Sequence, residues 1–130
     1  VSDAESPVLR HVLVADDEPH IRRVLVTMLE AAPFEVHAVT DGAEALDFLR
    51  QATRCDLVVT DLMMPRVDGL ALLAEIRKMP NRASLPVVVL TAKGQDADCE
   101  EAYALGASDF MTKPFSPKKL LARIRELLDD

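Results

Sequence analysis

Asp56-Leu57-Val58-Val59-Thr60 and Pro86-Val87-Val88-Val89-Leu90 are short β-branched runs with no polar residue alternating through them. A strand with one wet face alternates with a period of two, whereas an unbroken apolar run is covered on both faces, as in the centre of a parallel sheet. Three further short runs are also rich in apolar and β-branched residues: His11-Val12-Leu13-Val14-Ala15, Phe34-Glu35-Val36-His37-Ala38-Val39 and Asp109-Phe110-Met111-Thr112. Helical spacing fills the intervals. Ile21, Val24, Leu25, Met28 and Leu29 recur at i, i+3, i+4, i+7 and i+8, and Leu120, Leu121, Ile124, Leu127 and Leu128 do the same. Leu46 and Leu49, then Leu70, Leu73 and Ile76, mark two more helices, and the stretch from Asp96 to Leu105 carries mostly alanine on its inner face, which makes it the most weakly anchored. Strand and helix alternating five times predict an α/β fold, a doubly wound (βα)5 unit with a five-stranded parallel sheet in a three-layer sandwich.

The boundaries carry their own signals. Asp17 before Glu18-Pro19 reads as an N-cap with proline in the first helical turn, Asp41-Gly42 and Asp68-Gly69 each open a helix, and Gly106 closes the fourth. Residues 1–8 read as a flexible tail and residues 9–130 as one domain.

Composition narrows the function. The 130 residues suffice for one domain, and 15 Lys+Arg against 22 Asp+Glu leave a net charge of −7. Direct nucleic-acid contact needs a cationic face, so this domain is expected to make none; a metal cation or a basic partner fits better. No apolar run approaches the roughly 20 residues of a membrane span, and no signal peptide is visible, so a cytoplasmic protein without membrane contact is expected. Cys55 and Cys99 lie in no metal-binding motif and read as reduced thiols. His11, His20 and His37 stand near no second metal ligand in sequence and read as surface or half-buried residues.

In an open parallel sheet, ligands bind beyond the carboxyl ends of the strands. Those ends hold Asp16-Asp17, Asp61, Thr91 and Lys113, while the second strand's Thr40-Asp41 receives no role. Converging carboxylates repel unless a cation sits among them, and Mg²⁺ accepts few carboxylates and completes its octahedron with water and phosphate oxygens. Lys113 offers a phosphate a point charge and Thr91 a hydroxyl donor. Each residue alone has an ordinary structural reading, as a cap, a turn or a solvated lysine. Their joint occurrence at four strand ends points to a site for a phosphoryl group and its metal.

Asp16-Asp17, the stretch Asp61-Leu62-Met63-Met64-Pro65-Arg66-Val67-Asp68-Gly69, Thr91-Ala92 and Lys113-Pro114-Phe115 together resemble the receiver domain of two-component response regulators, from about Arg10 to Leu128. The resemblance implies a flavodoxin-like, CheY-like fold and a phosphorylation-controlled signalling role rather than an enzyme acting on other molecules. It implies that Asp61 becomes a 4-aspartylphosphate by attack on a phosphohistidine of a histidine kinase or phosphotransfer protein. Asp16, Asp17, Asp61 and the main-chain carbonyl of Met63 would hold Mg²⁺, with Mn²⁺ as a substitute, and Lys113 and Thr91 would meet the phosphoryl oxygens. The Lys113–Pro114 peptide is expected cis, against about 5% for X-Pro bonds generally. Thr91 and Phe110 would form the switch, altering the face made by the fourth helix, fifth strand and fifth helix, which meets an output domain or target protein.

Lys118, Lys119, Arg123 and Arg125 make that face basic. The run Lys113 to Leu120 is similar to receivers joined to winged-helix DNA-binding domains, which dimerise through reciprocal ion pairs, and Asp109 with Arg123 would form one pair of a phosphorylation-dependent homodimer. Lys119 and Cys99 replace the glutamate and arginine common there, so one expected pair is missing. Met63 and Lys93 flank the path of an attacking water, and methionine offers it no strong hydrogen bond, so slow self-dephosphorylation is expected. The alternative reading is a receiver-like interaction module that acts without phosphorylation. An aspartate-nucleophile phosphatase would need a DxDx(T/V) run where Asp16-Asp17-Glu18-Pro19-His20 stands.

Overall fold

A computed structural model describes residues 9–51, 54–64, 66–92 and 96–128. Elements alternate as expected: β1 (His11–Ala15), α1 (Pro19–Ala31), β2 (Glu35–Val39), α2 (Gly42–Gln51), β3 (Leu57–Asp61), α3 (Gly69–Lys78), β4 (Val87–Thr91), α4 (Asp96–Ala104), β5 (Asp109–Thr112) and α5 (Pro117–Leu128). All strand pairs are parallel and the order is β2-β1-β3-β4-β5, the flavodoxin-like doubly wound arrangement. The unbroken apolar runs are explained by burial on both faces, since every residue of β3 and β4 is buried. Odd-numbered Leu13, Ala15, Val87 and Val89 pack with Leu46, Leu49, Leu72, Leu73 and Ile76 of α2 and α3. Even-numbered Val12, Val14, Val88 and Leu90 pack with Leu25 and Leu29 of α1 and Leu120, Ile124 and Leu128 of α5.

Helix ends follow local chemistry. The Asp41 carboxylate accepts from Glu44 N–H at 2.8 Å, while Glu44 reaches back to accept from Thr40 N–H at 2.7 Å, a reciprocal closure of the start of α2. Asp68 caps α3 through Ala71 N–H at 2.9 Å. At the end of α4, Ala107 N–H donates to the Ala102 carbonyl and Gly106 N–H to the Tyr103 carbonyl, with Gly106 at φ +102°, so the glycine supplies the left-handed residue of a Schellman cap. The expected cap of α1 is displaced by one residue. Glu18, not Asp17, occupies the N-cap position, its side chain makes no capping bond, and Pro19 begins the helix.

Among the described side chains of α4 only Ala102 is buried, against three or four buried residues in α2, α3 and α5, which agrees with its expected weak anchoring. Among the described residues no helix is long and apolar enough to cross a membrane. The proposed tail over residues 1–8, Pro65 and Lys93 lie outside the described residues.

Candidate functional site

Register brings the strand ends to one rim. Ala15 stands opposite Thr60, Asp61 opposite Leu90, and Thr91 opposite Thr112, so the residues that follow or end these strands converge. Asp16 is wholly buried, Asp61 is 6% exposed and Thr91 1%. Lys113, whose peptide bond to Pro114 is cis as the resemblance implied, lies with its ammonium among three carboxylates. Its Nζ is 3.2 Å from Asp16 Oδ2, 3.3 Å from Glu18 Oε1 and 3.4 Å from Asp61 Oδ2. The other Asp16 oxygen accepts from Glu18 N–H at 2.9 Å, and the Arg22 guanidinium donates to the Asp16 main-chain carbonyl at 2.8 Å. Thr91 turns its hydroxyl to the Ala92 carbonyl at 3.3 Å, and Lys113 N–H donates to the Thr91 carbonyl at 2.6 Å, tying the threonine strand to the lysine.

Electrostatics follow from crowding like charges in a dry place. Burial raises the Asp61 carboxyl to about 6, the negative charge of Asp16 adds to the rise, and Lys113 opposes it. Burial likewise raises Asp16, against hydrogen bonds from Glu18 N–H and Lys113. Burial works against the Lys113 ammonium too, but the charges of Asp16 and Asp61 outweigh it and hold the lysine above its ordinary value. The site is therefore short of positive charge, with one ammonium shared by three acids.

Asp16, Glu18 and Asp61 each offer an oxygen within 4.8 Å of the others, the one group of three or more such ligands among the described residues. An all-oxygen carboxylate set with an incompletely neutralised charge fits a hard divalent ion. Asp17 is exposed and stands outside this group, though its charge still acts on Asp61. Glu18, which the sequence reading gave no ligand role, occupies that place; no spacing rule signals the direction of its side chain. Met63, in the loop after β3, is 59% exposed, while Met64 is buried in the core. Phe110 is half-buried against the α2–α3 side of the sheet, beside Val89.

The structure adds contacts that the sequence did not show. His11 and His37 are half-buried and His20 exposed, as expected, and the first two meet: His11 Nδ1 lies 3.1 Å from His37 Nε2 with the rings stacked, towards the opposite end of the sheet. The basic face of α5 is partly neutralised at Arg123, whose Nε donates to Asp109 Oδ2 at 2.9 Å and whose Nη1 lies 3.4 Å from Glu126 Oε1, while Arg125 donates to the Ala32 carbonyl. Asp109 and Arg123, the residues expected to pair between two copies, meet here within one chain, where Tyr103 also donates to Asp109 Oδ1 at 3.0 Å. Asp41, given no role, is 4% exposed, caps α2 and pairs with Arg66.

With this geometry in hand, relatives are informative. Residues 12–125 match the family model described as the response regulator receiver domain. The chain is 46% identical over 119 residues to "Probable transcriptional regulator ycf27" of Cyanophora paradoxa, covering 92% of this chain and 48% of that protein. It spans about half the length of the curated relatives it matches. Among solved structures, a response regulator of Chloroflexus aurantiacus superposes with TM-score 0.89 at 29% identity, covering 95% of this chain and all of that one. The chemotaxis response regulator CheY4 of Vibrio cholerae gives 0.85 at 30% identity, covering 92% and 99%. A parallel sheet in the order 2-1-3-4-5, an acid-ringed lysine at its carboxyl rim and these matches lead to one conclusion: the chain belongs to the receiver domains of two-component response regulators, a family of signalling domains.

Proposed function

We propose that Asp61 is the phosphoacceptor of this receiver, which we assign to residues 9–130, and that a histidine kinase or phosphotransfer protein is its donor. The observation that carries the reading is the Lys113 ammonium held within 3.4 Å of Asp16, Glu18 and Asp61 at the rim of the sheet. An Asp61 carboxylate oxygen attacks phosphorus, the P–N bond of the phosphohistidine breaks, and an acyl phosphate forms. Asp61 must be ionised to attack, and its elevated pKa means that added positive charge at the rim promotes the competent form. Asp16, Asp17, Asp61 and the Met63 carbonyl would hold Mg²⁺, with Mn²⁺ as a substitute, which supplies charge neutralisation between acceptor and phosphoryl oxygens. Lys113 pairs with one phosphoryl oxygen and Thr91 donates to another. The chain thus promotes only its own phosphorylation and dephosphorylation.

The phosphoryl group adds charge and acceptors next to Thr91, and Phe110 moves inward as the threonine is drawn over. The α4–β5–α5 face then meets an output domain or target, in the cytoplasm. A phosphorylation-dependent homodimer through that face would exchange the Asp109–Arg123 pair between copies. Because Met63 gives an attacking water no hydrogen bond, the acyl phosphate should persist for minutes to hours. Incubation with acetyl phosphate and Mg²⁺ tests the reading. The wild type should gain the mass of one phosphoryl group and Asp61→Asn none; an equal gain in both would refute it.

A further inference from the structure

We propose that the Asp41–Arg66 ion pair is a positioning device for the phosphoacceptor site, clamping the loop that carries Met63 to the first turn of α2. This inference rests on the reading of Asp61 and Met63 given above. Asp41 ends the β2 connection with its side chain only 5% exposed, yet its carboxylate is charged, and the Arg66 guanidinium reaches across from the β3–α3 loop to bind it. The Glu44 N–H at the start of α2, then Arg66, hold the Asp41 carboxyl below its ordinary value against the effect of burial. The Asp41 carboxylate is therefore charged throughout the neutral range.

The loop is held by more than this contact. Arg66 has φ +66°, a left-handed conformation that a non-glycine residue keeps only where its surroundings over-determine it. Next to it, the Val67 carbonyl accepts from Gly42 N–H at 3.1 Å, and a Cβ at position 42 would stand 2.2 Å from that oxygen. Helix start and loop thus meet backbone to backbone. The loop's far end is closed as well: Gly69 N–H donates to the Leu62 carbonyl at 2.8 Å, and a Cβ at 69 would lie 2.4 Å from the Asp61 carbonyl oxygen. Leu62, Gly69 and Val67 are thus pinned, and the Asp41–Arg66 pair holds Arg66 beside them. Any release at Arg66 is then passed to the Met63 main chain, one of the oxygens assigned to the metal.

The alternative is that the pair only steadies α2. Asp41→Asn separates the two roles, because asparagine caps a helix about as well as aspartate but gives Arg66 no charge. Arg66→Asn removes the cation with a residue that tolerates the left-handed backbone. Mg²⁺ affinity would be read from backbone amide shifts, with thermal unfolding followed in parallel. We expect each single variant to unfold cooperatively and to bind Mg²⁺ about tenfold more weakly, as for loss of a group that orients a metal ligand. The double variant should be no weaker than either single one, as for partners in one interaction. Affinities within about twofold of wild type, or effects that multiply in the double variant, would overturn the clamp. If the wild type binds Mg²⁺ and is phosphorylated on Asp61 while the variants match it, only the clamp falls. If the wild type itself binds no Mg²⁺, the phosphoacceptor reading falls and takes the clamp with it.

Discussion

Asp61 sits in a folded environment that favours its proton, at about 6 against an ordinary value of 3.8. The sign of its effect on stability follows. Between those two values the folded chain binds more protons than the unfolded one, so without divalent metal stability should rise as pH falls from 7 towards 5. Asp16, also raised, acts in the same direction. Asp61→Asn should therefore stabilise the metal-free domain at pH 7.5 by about 2 kcal/mol, an advantage that shrinks at pH 5 and on adding Mg²⁺; chemical denaturation at the two pH values measures it. The cysteines differ for a related reason: burial lifts the Cys55 thiol to about 11, so an alkylating reagent should label the half-buried Cys99 and spare Cys55 in the native protein. Asp16, Asp61, Thr91 and Lys113 were legible in the sequence because a parallel strand's last residue has one place to go. Glu18 and Asp41 were not, because nothing in their spacing says that one side chain turns to Lys113 and the other to Arg66.

At the scale of elements, two glycines mark where helices press on the strand ends. A methyl group at Gly69 would sit 2.4 Å from the carbonyl oxygen of Asp61, and one at Gly42 2.2 Å from that of Val67, and backbone cannot yield as a flexible side chain does. Gly42→Ala and Gly69→Ala should each lower stability by about 1–3 kcal/mol in denaturant melts. Gly69→Ala should in addition slow phosphoryl uptake under the proposed role of Asp61, since relief of its clash displaces the strand that ends there. The central strands β3 and β4 were readable from unbroken apolar runs and α1 and α5 from their periodicity. The cap of α1 was misread by one residue, because Asp17-Glu18-Pro19 offers two acids before the proline, and the backbone places Glu18 at the junction. The α4 boundary was readable from Gly106, whose φ of +102° no other residue adopts cheaply.

Across the whole molecule the design is asymmetric. One end of the sheet gathers buried acids around Lys113, and the other carries the stacked His11–His37 pair. Their pairing was hidden from the sequence, since it requires β1 and β2 to lie side by side with His37 opposite Leu13, a diagonal step from His11. Moving a two-state domain from 1:99 to 99:1 takes about 5.5 kcal/mol, more than a single charge-assisted hydrogen bond at Thr91 provides. Beryllofluoride with Mg²⁺ should therefore produce a partial shift in the isolated chain, seen as intermediate amide shifts in α4 and β5. The Asp109–Arg123–Tyr103 contacts within one chain are one reason, because they hold that face in its present arrangement. The central claim concerns one side chain, and one chemical mapping reaches it most directly. After treatment with acetyl phosphate and Mg²⁺, borohydride reduces an aspartyl phosphate to homoserine, and peptide mass spectrometry reads the position. Homoserine at position 61, absent when Mg²⁺ is omitted, is the predicted result. Homoserine at another aspartate, or at none while the protein remains folded, would contradict the account.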